Sequence, residues 1–153
     1  MGAGLLIVVG VDGSPSSSLA LEWAIAEAVR CSGDLEVAVA WEPPDAGLEA
    51  YEYEPSEPTA EVLAYQRARR VAEVSAEQAR RQLPADRVHV AVLEGGAAEQ
   101  LVMRSADADV LVVGSRGRGG FAGLLLGSVS HQCTSHASCP VVVVRHLRGP
   151  AAK

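Results

Sequence analysis

A chain of 153 residues, 48% hydrophobic and 21% charged, has the size and composition of one globular domain and not of a fibrous or disordered chain. Its net charge is -6, and every one of its 19 acids lies at or before Asp109; beyond that point stand only Arg116, Arg118, Arg145, Arg148 and Lys153 as charged groups. This balance excludes the basic stripe that a nucleic-acid binder needs, while leaving room for one local cationic site for a small anion.

The first predicted element is the apolar run Leu5 to Val11. No Lys or Arg precedes it and it is too short to span a bilayer, so it reads as a buried strand and not as a signal peptide or membrane anchor. Pro15, after Ser14, suits a first helical turn, and Leu21, Ala24, Ile25 and Ala28 repeat at helical spacing until Gly33. A second strand is expected over Val37 to Trp41. The segment 42–59 follows, dense in proline and glutamate, and reads as an irregular acidic surface loop.

Residues 60–82 predict a long helix with Ala64, Ala68, Val71, Ala72 and Ala79 on one stripe, stopping before Pro84. Val88 to Leu93 is a third strand, with His89 at the margin of the sheet. Ala98, Leu101, Val102 and Ser105 mark a third helix after Gly95 and Gly96. Val110 to Val113, a helix over Ser128 to Ala137, and Val141 to Val144 complete a βαβαβαβαβ order. Short Val-rich runs bounded by Gly, Pro, Asp or Glu are the pattern of strands buried on both faces. Strands alternating with helices therefore predict an α/β fold: a single-domain open sandwich, a five-stranded parallel sheet flanked by four helices, spanning residues 1–148 with a short tail at 149–153.

The stretch GSRGRGGFAGLLLGSVS, residues 114–130, concentrates glycine just after the fourth strand. Glycine there is costly unless the backbone must turn sharply or come close to something. The stretch is not a Walker A loop, since no Gly-Lys-Ser/Thr is present, and a dinucleotide fingerprint would want an acid some 20 residues on, where none exists. It does offer Gly114, Gly117 and Gly127, with Ser128 opening a helix whose first N–H groups and dipole favour an anion; Arg116 and Arg118 add positive charge. The alternative is structural: a tight strand exit and a Ser128 helix cap. Asp12 ends the first strand. If the first and fourth strands are neighbours, Asp12 and the glycines face one crevice, the carboxylate on ribose hydroxyls or a Mg²⁺ water and the glycines on phosphates. Its alternative is an Asx turn.

These segments, with VVGVDGSPSS at the front and SCPVVVVR near the end, resemble the universal stress protein family over nearly the whole chain. Gly114, Gly117, Gly127 and Ser128 match the G-2x-G-9x-G-S pattern of its ATP-binding branch. The resemblance implies an adenine nucleotide alpha hydrolase-like fold and ATP, with Mg, as ligand. It places Asp12 near ribose and metal, Ala40 at the adenine edge and Val113 in the pocket wall. Gly114, Arg116, Gly117, Gly127, Ser128, Val129 and Ser130 would surround the phosphates. It also implies a homodimer paired through Val141 to Val144, which fits the hazard of an exposed all-valine edge.

Cys31, Cys133 and Cys139 form no disulfide framework and fit reduced thiols in a cytoplasm. His131, Cys133, His136 and Cys139 are zinc-type ligands, but residues 131 and 133 diverge by about 200° on a helix, so a metal site is not expected. No G-x-S-x-G elbow supports hydrolase chemistry. The expectation is a cytoplasmic, ATP-binding regulatory homodimer with no catalytic residue assigned, acting through protein partners, with no nucleic-acid or membrane partner. A slow ATPase or nucleotide-dependent enzyme on the same fold, and a scaffold without ligand, are the alternatives.

Overall fold

The computed structural model describes residues 4–45, 57–117 and 126–146; most of the acidic loop 42–59, Arg118 and the tail at 149–153 lie outside them. Each apolar run forms a strand: β1 (Leu6–Gly10), β2 (Asp34–Trp41), β3 (Val88–Glu94), β4 (Val110–Gly114) and β5 (Val141–Val144). All pair in parallel, in the order β3-β2-β1-β4-β5. The chain moves outward from β1 through β2 to β3, then crosses back to β4 on the other side of β1. Right-handed crossovers therefore put the first two helices on one face and the last two on the other.

On the first face lie α1 (Pro15–Cys31) and α2 (Ala60–Arg80). Ser14 caps α1 by accepting from the Ser17 amide at 3.2 Å, and Thr59 caps α2 by accepting from the Val62 amide at 3.2 Å. Both helices turn small and branched residues inward: Ala20, Leu21, Ala24, Ile25 and Ala28 from α1, and Ala68, Ala72, Ala76 and Ala79 from α2, against Ile7, Val9, Leu35, Val37 and Val112. Alanine stripes let both helices lie close to the branched side chains of the sheet.

On the second face, α3 (Ala97–Arg104) and α4 (Ser128–His136) cover Val8, Ala38, Leu111 and Val113, with Leu101 and Cys133 as their buried contacts. His131 and His136 are exposed while Cys133 is fully buried, so the zinc-type residues do not converge. His89 lies half-exposed on the edge strand, 3.3 Å from Asp34.

The boundaries on either side of the α1–β2 turn differ from the sequence reading. Strand β2 begins at Asp34, because Glu36 is buried there in an ion pair with Arg104 that the apolar pattern does not reveal. Helix α1 ends at Cys31 on a left-handed Ser32 (φ 52°), one residue before the Gly33 at which the spacing stops. Gly33 is needed for another reason: a Cβ there would stand 2.6 Å from the Leu5 carbonyl oxygen.

Candidate functional site

The reversal of strand order at β1 opens a crevice at the carboxyl ends of β1 and β4, where an open α/β sheet binds ligands. Gly10, Val11 and Asp12 leave β1 on one side of it, and Val113, Gly114, Arg116 and Gly117 leave β4 on the other. Ala38 and Ala40 of β2, Ala97 and Leu101 of α3, and Val129 and Ser130 of α4 close the remaining walls. The hollow has about 520 Å³ of empty space when its open mouth is counted. Most of its floor is apolar; its charged groups are Asp12 and Arg116.

Local hydrogen bonding fixes the β4 exit. The Ser115 amide donates to Val144 at 2.9 Å, the Arg116 amide to Ser16 Oγ at 3.2 Å, and the Gly127 amide to the Ser115 carbonyl at 2.7 Å. The buried Ser130 hydroxyl is shared between the carbonyls of Ser115 (3.1 Å) and Gly127 (3.0 Å), so it staples the start of α4 to the strand exit instead of pointing a donor into the cavity. Gly127 is the N-cap of α4, and among the described residues no side chain caps it. A Cβ on Gly127 would stand 3.4 Å from the Gly117 amide nitrogen, so two glycines from the stretch meet at the uncapped helix end.

Asp12 Oδ1 accepts from the Ser14 amide at 2.8 Å, the Asx turn that the sequence left open, while its Oδ2 faces Gly117. The two roles coexist in one carboxylate. A single carboxylate fits Mg²⁺ only as one ligand of a cation otherwise held by phosphates and water. Among the described residues no group of three or more His, Cys, Asp or Glu gathers around one point.

Of the residues singled out in the sequence, Asp12, Ala40, Val113, Gly114, Arg116, Gly117, Val129 and Ser130 line this one cavity. Gly127 lies immediately behind Gly117, and Ser128 is exposed at the first turn of α4 without lining the cavity. Gly114 is glycine for a packing reason as well: a Cβ there would meet Ser16 Oγ at 2.5 Å and Ser16 backbone at 2.7 Å. The sequence reading missed Gly10, Val11, Ser17, Ala38, Ala97 and Leu101. Leu101 was legible only as core, and it covers Gly10 so closely that a Cβ there would lie 2.7 Å from a Leu101 methyl.

The model of the universal stress protein family matches residues 6–145. Universal stress proteins of Mycobacterium tuberculosis (strain H37Rv) and Mycobacterium bovis are 36% and 38% identical over 139 residues, covering 91% of this chain and 44% and 45% of their own. The chain thus spans about half the length of these curated relatives. Among solved structures, a universal stress protein in complex with cAMP superposes with a TM-score of 0.68 at 27% identity, covering 94% of this chain and 98% of that one. The universal stress protein UspA from Lactobacillus plantarum shares the fold, with a TM-score of 0.68 at 18% identity, 95% of this chain and 100% of that one.

Proposed function

The chain belongs to the universal stress protein family, and from that premise we propose that it is a cytoplasmic ATP-binding regulator of the stress response, active as a homodimer paired through β5. The observation that carries this reading is the approach of Gly117 to Asp12 beside the uncapped start of α4. A bare backbone there admits phosphate oxygens, and the first N–H groups of α4 with the helix dipole favour their charge. Arg116 neutralises part of a triphosphate, and Asp12 takes the ribose hydroxyls or one position on a phosphate-bound Mg²⁺. The small residues Gly10, Ala38, Ala40 and Ala97 leave a flat apolar bed for a purine. The cAMP complex of the relative at 27% identity supports an adenine nucleotide as the ligand class.

Residues 1–148 act in this reading as one nucleotide-binding unit. Bound ATP shifts the dimer between forms to the extent that it prefers one of them. No helix among the described residues is long and apolar enough to cross a membrane. Isothermal titration with ATP, AMP and cAMP tests the reading: saturable one-site binding with ATP tightest is expected, and no heat with any of the three refutes it. Phosphate release under single-turnover conditions distinguishes a binder from a slow ATPase.

A further inference from the structure

A second concavity lies on the opposite face of the sheet. Between α1 and α2, Val11, Leu21, Val71 and Val74 wall an open groove with about 910 Å³ of empty space, mouth included, and Arg67 and Arg70 project into it. No Asp or Glu lines it among the described residues, although the chain as a whole is acidic. The two arginines stand one turn apart on α2, and neither forms a hydrogen bond or ion pair among the described residues, whereas Arg69 on the same helix pairs with Glu73 at 2.8 Å. Asp12, which lines the nucleotide cavity, shares an adjoining hollow with Arg67.

Two guanidinium groups above the exposed Val74 and the partly exposed Val71, with Leu21 and Val11 buried behind them, select for a ligand with both halves matched. An isolated inorganic anion leaves the valines wet, and a neutral apolar molecule leaves the guanidiniums without a carboxylate to fork around. We propose that the α1–α2 groove binds a small amphipathic organic anion, a carboxylate carried on an aliphatic body. The head sits between Arg67 and Arg70, and the body lies along Val71 and Val74. Val11 and Ser17 line both this groove and the nucleotide cavity, so the two sites share a wall while keeping separate ligands.

The test titrates the full chain with octanoate and follows backbone amide shifts by NMR. Saturating shifts confined to α1 and α2 are expected, weakened roughly tenfold or more in Arg67→Gln/Arg70→Gln and for octanol or octyltrimethylammonium on the unaltered protein. Shifts that fail to saturate, equal binding of octanol or of inorganic phosphate, or displacement of octanoate by ATP would overturn the assignment. The comparison of ligands on the unaltered protein decides the matter even if the double variant misfolds. Loss of ATP binding in a nucleotide-site variant leaves the octanoate result unmoved, which separates this site from the nucleotide reading.

Discussion

Gly117 and Asp12, from opposite ends of the sequence, meet so closely that a Cβ on the glycine would stand 3.0 Å from Asp12 Oδ2. Gly117 is itself exposed and its φ is not positive, so neither burial nor backbone conformation demands glycine there. What the missing side chain leaves open is the space between the carboxylate and the start of α4. Gly117→Val is therefore expected to fold normally and to lose ATP affinity by roughly a hundredfold or more. Calorimetry beside circular dichroism checks both halves; unchanged affinity would mean that phosphates do not lie against Gly117.

Gly114 should behave in the opposite way. Its Cβ would collide with Ser16 backbone in the first turn of α1, at 2.7 Å, and backbone cannot rotate away. Gly114→Ala is expected to destabilise the protein by about 1–3 kcal/mol, the usual range for overpacking. A urea midpoint at or above that of the parent would contradict the packing.

The contrast between these glycines shows what could be read in advance. The strands were legible because a sheet covered on both faces leaves Val-rich runs with no polar alternation. That Asp12 and the glycine stretch share a crevice was legible only on condition that β1 and β4 are neighbours, as they are. Spacing could not say which glycine serves packing and which leaves room for a ligand, since both roles write the same letter. Gly10, Ala38 and Ala97 escaped notice because what they give the cavity is the absence of a side chain. Glu36 hid the true start of β2, because a charge in an apolar run reads as a break unless its partner is known.

That partner, Arg104, holds α3 in place. Its Nε donates to Glu36 Oε1 at 2.8 Å, and Nη2 reaches the second carboxylate oxygen. Ala97, Leu101 and Arg104 follow one face of α3, while Glu36, Ala38 and Ala40 follow one face of β2, so the pair anchors the helix whose upper end walls the cavity. Removing one member leaves a buried charge without its counterion. Arg104→Leu is expected to cost about 3 kcal/mol, and Glu36→Leu/Arg104→Leu to recover most of it, because apolar replacement of a whole pair is often neutral. Chemical denaturation of the two variants measures this, and a double variant no more stable than the single one would count against it.

Cys133 gives the protein a dependence on alkaline pH. Burial, with a smaller contribution from Cys139, pushes its thiol up to about 11 from the ordinary 9.0. The folded state therefore holds this proton more tightly than the unfolded chain. The resulting stability is complete below about pH 9 and is lost as pH rises through about 11, by roughly 2 kcal/mol. Urea midpoints of the parent should fall across that window more steeply than those of Cys133→Ala. At pH 8, Cys31 and Cys139, both partly exposed, should react with a thiol reagent well before Cys133 does.

Strand β5 is one edge of the sheet. Carbonyls of Pro140 and Val144 accept from β4, at 3.0 Å from Leu111 and 2.9 Å from Ser115. In a parallel ladder the N–H and C=O of one residue point the same way and successive residues alternate, so Val141 and Val143 turn their backbone groups outward from the sheet. A second β5 pairing across a two-fold axis would use those groups. Val143→Pro removes one outward donor without touching the β4 ladder, the one setting in which a strand tolerates proline. The variant should keep its secondary structure and sediment as a monomer at concentrations where the parent sediments as a dimer. Analytical ultracentrifugation decides between them: a parent that sediments as a monomer, or a proline variant that still dimerises, removes β5 as the interface, because its outward N–H groups would then have no partner strand to meet.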